Sequence, residues 1–251
     1  MSKLPEEVEE AKSLEAFSVT PEIGFDAHHV QGLVVTDKYF YFTSVEKANL
    51  AGWMFKVDRK TMKLVGKRNH AKFADIHPGG IDYDGKYIWM AMAVYTERSH
   101  AYIMIVDPET LKAKTKFEVK DHIGAVARHE DMVIGANWDA EEFYFWTLEG
   151  KLVDKRESPT GIGYQDCKGE GGWLACVGGG FLDWIDVDRW KLAKRFPLGK
   201  SLEGSPLSRE GVALFGGRAF FLPDDGPTAR IYEYEFSKEE EKKIEDKNPN
   251  E

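Results

Sequence analysis

The chain has 251 residues, 13% of them aromatic, and a formal net charge of −9. Its length and an apolar share of 42% allow a full buried core, which excludes a disordered chain. The acidic balance, with no clustered Lys or Arg, argues against a nucleic-acid surface, and no apolar run approaches a membrane span.

Residues 1–12 are charged, lack the apolar core of a signal peptide and read as a flexible N-terminus. The expected compartment is therefore the cytoplasm, or the exterior if a leader has been removed. Residues 14–19, Leu-Glu-Ala-Phe-Ser-Val, alternate and predict a strand. Beyond them four kinds of strand recur in fixed order. The first kind starts at a polar residue and runs into small and apolar ones: 29–35, 77–83, 122–127, 164–168 and 203–207. An apolar, aromatic strand follows each, at 39–44, 87–93, 132–136, 173–177 and 219–222. A third strand, rich in aromatics, spans 52–57, 101–106, 142–148, 181–187 and 230–236. A polar, edge-like fourth closes four of the sets, at 63–67, 113–119, 152–156 and 192–196.

The first strands start at His29, His77, His122, Tyr164 and Glu203, at separations of 48, 45, 42 and 39 residues. That is the period of four-stranded propeller blades. The expected fold is all-β, a single five-bladed β-propeller over residues 13–236, with 14–19 supplying the strand that the last blade lacks. Such closure removes the open seam between first and last blades. Residues 237–251 read as a charged tail.

Two cysteines exclude a disulfide framework. Cys167 and Cys176 flank a Gly-rich turn. A four-residue turn at 169–172 would set them diagonally, which favours two half-buried thiols over a bridge. Asp82 and Asp84, beside Gly85, read as turn residues.

Strands in a blade alternate in direction, so the loop after each second strand shares a face with the start of each first strand. His29, His77, His122, Tyr164 and Glu203 therefore ring one mouth, with Glu46, Tyr95, Trp138, Asp224 and Asp225 on the loops behind them. His28 adjoins His29 and must face away. His70, His100 and His129 fall in turns or outer segments and read as surface residues.

Three imidazoles at one repeat position suit a divalent metal, so His29, His77 and His122 are the expected ligands. They also serve as acid or base candidates, together with Glu46 and Asp166. Gln31, Tyr95, Trp138, Tyr164, Asp224 and Asp225 are the substrate-binding candidates. The function expected is a small-molecule or metal-binding protein, an enzyme of hydrolase or lyase type acting on a small polar substrate. The alternative is a non-catalytic scaffold for a protein or carbohydrate. A monomer, without nucleic acid or membrane, is the default.

The segments His29-Val-Gln-Gly-Leu33, the thirteen residues from His77-Pro-Gly-Gly to Ile-Trp89, Tyr164-Gln-Asp-Cys-Lys168 and Pro223-Asp-Asp225 resemble the motifs of an uncharacterised family of bacterial propeller proteins. The resemblance implies the fold over about residues 25 to 236 and brings no activity. Gln31-Gly-Leu33 is also similar to the start of a first strand in plant-type glutaminyl cyclases, which implies five blades and, as a further alternative, acyl transfer.

Overall fold

The computed structural model describes residues 9–10 and 14–236. The tail at 237–251 and most of the 1–12 segment lie outside the described residues. Within that segment β1 (Glu9–Glu10) runs parallel to a later strand, Glu9 beside Lys194 and Glu10 beside Arg195.

Chain order continues with β2 (Glu15–Val19) and then the first unit: β3 (His29–Val35), β4 (Tyr39–Glu46), β5 (Ala51–Asp58) and β6 (Leu64–Asn69). The second unit is β7 (Asp75–Tyr83), β8 (Ile88–Val94), β9 (Ala101–Val106) and β10 (Ala113–Val119). The third is β11 (Ile123–His129), β12 (Met132–Asn137), β13 (Glu142–Thr147) and β14 (Leu152–Glu157). The fourth is β15 (Tyr164–Glu170), β16 (Trp173–Gly178), β17 (Phe181–Asp186) and β18 (Lys191–Pro197), with β1 on its outer edge. The last is β19 (Glu210–Phe215), β20 (Arg218–Pro223) and β21 (Tyr232–Glu235), completed by β2. Strands within each unit pair antiparallel, neighbour to neighbour. The chain is an all-β propeller.

The closure expected from residues 14–19 is present: β2 pairs antiparallel with β21, Val19 opposite Tyr232. The core explains the doubly apolar strands. Five clusters fill the gaps between successive units, the first of them between the first and last. Neighbouring residues of one strand enter opposite gaps. Phe42 packs toward Phe220 and Leu222, whereas Tyr41 packs toward Met90 and Met104. A strand with apolar neighbours on both faces needs no polar side, which is why β4, β8 and β16 are almost wholly buried.

The inner strands close a ring around the axis. Gly79 meets the Gly124 carbonyl so closely that a Cβ there would overlap it. Two carboxylates complete the ring. Asp82 accepts from the backbone N–H groups of Arg128 and Gly169, tying the second unit to the third and fourth. Asp166 accepts from Leu33 and Val212, tying the fourth to the first and last. Lys168 donates to Asp166 at 2.6 Å. Asp82 is thus an axial anchor and not the turn residue expected; only Asp84 holds the turn, accepting from Lys86 and Tyr87.

Two further expectations are corrected. The fifth first strand is β19, starting at Glu210; Glu203 lies in the preceding loop, where residues 201–207 fold back on themselves. With Glu210 the last interval is 46 residues, closer to the others than 39. Cys167 and Cys176 form a disulfide. The turn uses only Gly171 and Gly172, because Glu170 pairs with Trp173, so the cysteines stand directly opposite with Cα atoms 4.1 Å apart.

Candidate functional site

One mouth of the propeller holds a pocket of about 120 Å³ lined by His29, Gln31, His77, Tyr95, His122 and Trp138, with Gly124, Asp139, Tyr164 and Gln165. Strand direction brings these together as expected: His29 opens β3, His77 sits near the start of β7, and Tyr95 and Trp138 follow β8 and β12. The three histidines line this one mouth, but their donor atoms do not form one ligand set. Among the described residues, the group of three or more potential ligands whose donor atoms all lie within 4.8 Å is His29, Glu210 and Asp224.

That group spans the junction of the first and last units. His29 Nδ1 is 2.9 Å from Asp224 Oδ2 and 4.0 Å from Glu210 Oε1. Arg209 lies outside it, its guanidinium 3.4 Å from Asp224 and 3.9 Å from Glu210. Glu210 is 4% exposed and has φ of +87°, a backbone conformation that costs a non-glycine residue of order 1–3 kcal/mol. Burial pushes its carboxyl up to about 7; His29 and Arg209 oppose the rise, whereas Asp224 and Asp166 add to it. Burial pulls His29 down, but its bond to Asp224 and the charges of Glu210 and Asp224 outweigh this, and its pKa is raised.

The other imidazoles form a second half. His77 and His122 have ring centroids 4.9 Å apart, and Trp138 lies 5.9 Å from the first and 4.4 Å from the second. Tyr95 packs edge-on to His77 at 4.7 Å and to Trp138 at 5.4 Å. Lys47 sits over the Tyr95 ring, 4.1 Å from its centroid. Burial drives His77 well down, assisted by His122, His29 and Lys47. Burial also lowers His122, against the pull of the Val94 and Thr96 carbonyls. Those carbonyls lie 2.8 and 3.2 Å from His122 Nδ1, which fixes the proton on that nitrogen. Among the described residues, the buried His122 Nε2 and His77 Nδ1 have no hydrogen-bond partner.

Several candidates occupy other places. Glu46 accepts from Trp53 Nε1 at 2.8 Å and from Asn49, and lies 3.7 Å from His28, away from the pocket. Asp166 is fully buried, all its acceptor capacity spent on the axis, and burial pushes it up to about 6 against Lys168. Asp225 accepts from Ser201 at 3.1 Å, whereas Asp224 alone meets His29. Tyr164 lines the pocket, but its hydroxyl donates to Asp183 inside the fourth unit, where Arg195 grips the same carboxylate with two bonds. Gln31 is buried and donates to the Val30 carbonyl. His70 and His129 are buried, and His100 lies 2.7 Å from Asp75; they are not free surface residues.

Glu210 escapes the sequence pattern because a fifth inner strand starting at Glu203 would begin seven residues before β19 does. The signal was there: Glu210-Gly211-Val212 is polar, small and apolar, like the other first strands. A larger cavity of about 380 Å³ opens at the other end of the axis, but its buried charges, Asp82 and Lys168, are already bonded. The mouth with unpartnered imidazoles is the better candidate site.

Fold and site thus define a propeller with a concave, histidine-lined mouth. The chain belongs to a family of unknown function, DUF6454, which it matches over residues 15–180. No curated protein matches it in sequence. A glutaminyl cyclase from Myxococcus xanthus shares its fold with a TM-score of 0.64 at 12% identity, over 90% of this chain and 97% of that one. A gluconolactonase from Xanthomonas campestris gives 0.50 at 13%, over 88% and 97%. No helix among the described residues is long and apolar enough to cross a membrane.

Proposed function

We propose that the chain is a five-bladed propeller enzyme that holds a divalent cation at His29, Glu210 and Asp224 and acts on a small polar molecule at this mouth. The observation that carries the reading is the convergence of one imidazole and two carboxylates within 4.8 Å. Glu210 supports it further, being a desolvated carboxyl on a strained backbone that a bound cation would compensate. One nitrogen and two oxygens suit Mn²⁺, Fe²⁺ or Zn²⁺. Such an ion supplies a Lewis acid for a carbonyl or phosphoryl oxygen, the chemistry of a hydrolase or lyase. Arg209 lies within reach of both carboxylates and partly offsets their charge in the metal-free protein.

A metal-free reading has its own observation. Glu210, raised to about 7, is poised to give and take a proton near neutral pH, with His29 beside it. Likeness to glutaminyl cyclase at 12% identity supports the fold and not acyl transfer. The Cys167–Cys176 bridge supports an oxidising compartment.

Calorimetric titration of chelator-treated protein with Mn²⁺ and Zn²⁺ tests the reading. One ion per chain is expected, lost in His29→Ala, Glu210→Gln and Asp224→Asn and kept in His77→Ala. No binding by the unaltered protein leaves the metal-free reading. Loss in His77→Ala with retention in Glu210→Gln would restore the three-histidine set.

A further inference from the structure

We propose that the inner half of the mouth, built by His77, His122, Tyr95 and Trp138, is a receptor for a hydroxyl-rich small molecule of neutral or negative charge. The proposal rests on the cation reading of His29, Glu210 and Asp224 and names the substrate class of that site. His122 carries its proton on Nδ1, held by the Val94 and Thr96 carbonyls, so Nε2 presents only a lone pair. That nitrogen is buried and has no partner, and neither has His77 Nδ1. An unsatisfied buried polar nitrogen costs about 1–3 kcal/mol, and His122 Nε2, as a bare lone pair, can be satisfied only by a donor from the ligand. Hydroxyl groups supply donors without charge, and the half-buried rings of Tyr95 and Trp138 offer apolar wall to the C–H bonds between them.

Charge excludes the other donor-rich class, the amines. Lys47 already occupies the face of Tyr95, and Arg209 stands beside Asp224. With a divalent ion on Glu210 and Asp224, these two cations leave the mouth with no unspent negative charge except the exposed Asp139. An ammonium would meet repulsion there, whereas a hydroxyl or carboxylate oxygen would reach the ion directly.

The test uses the full chain, metal-free and Mn²⁺-loaded, titrated separately with gluconate, glucose and glucosamine at about pH 7, where most of the amine is protonated and the cation ligands compete less with protons. Gluconate and glucose are expected to bind the loaded protein, with glucosamine at least about tenfold weaker. His122→Leu is expected to weaken gluconate by about tenfold or more while Mn²⁺ affinity stays within about twofold. Trp138→Ala, on a half-buried ring, is expected to weaken it too and covers the case in which His122→Leu does not fold. Mn²⁺ binding without any response to gluconate or glucose overturns the receptor, as does glucosamine binding as tightly as gluconate, or His122→Leu and Trp138→Ala both binding like the unaltered protein. If Mn²⁺ does not bind while gluconate binds metal-free protein and is lost in His122→Leu, the cation reading fails and the receptor stands. If neither binds, both fail.

Discussion

Glu210 shows how much a single side chain can concentrate. It opens the last inner strand, adopts φ of +87°, and is buried beside Asp224 and His29. Its carboxyl titrates near 7 when folded against 4.5 for its unperturbed value. A raised folded value means that its support for the fold is complete below about 4.5, is lost as pH rises to about 7, and stays lost above. Metal-free protein should therefore lose stability across that window, on the order of 3 kcal/mol from this group. Urea unfolding at about pH 5 and about pH 8 should show the fall, and Glu210→Gln should lack this component. A Glu210→Gln variant with the same pH slope as the unaltered protein would remove Glu210 from the explanation. Asp166 is a different case, because both of its carboxylate oxygens are fully bonded. Asp166→Asn should cost about 3–5 kcal/mol, because Lys168 loses its carboxylate and two backbone donors face an amide. A loss below about 1 kcal/mol would mean that the axis does not depend on it.

At the level of strands, periodicity was informative and turns were not. The order of the four strand kinds, and the closure by β2, could be read because each strand's apolar pattern follows from the gaps it fills. The fifth inner strand could not, since the 199–209 loop carries Gly, Pro and Leu of the same character as an inner strand. The cysteine pairing turned on whether two or four residues make one turn, and composition does not decide that. That His29, His77 and His122 share one mouth followed from strand direction. Which residues met there did not, because Glu46 and Asp225 each found a nearer partner in Trp53 and Ser201. The bridge in β15–β16 closes a short loop with nine residues of separation. Replacing both cysteines by serine should cost about 2–3 kcal/mol by the loop-entropy relation. Chemical denaturation of the two forms measures it, and unchanged midpoints would show that the bridge is redundant.

For the molecule as a whole, the proposed cation site lies at the seam where the first and last units meet. The same seam is held from outside by β2 on β21. Removing residues 1–19 should free the β21 edge, promote self-association, and weaken Mn²⁺ binding by about tenfold or more as Glu210 and His29 lose register. Size-exclusion chromatography and titration check both parts; a monomeric truncation with full affinity would place the strength of the seam in the core between Phe42 and Leu222 alone.

The anchors Asp82 and Asp166 have one more consequence. They cross the axis from different sides, and Lys168 fills the space between them, so the propeller has a floor. The molecule is a cup and not a pipe. Under the proposed function, a product formed at the histidine mouth would leave by the opening through which its substrate entered, and would compete with the next substrate there.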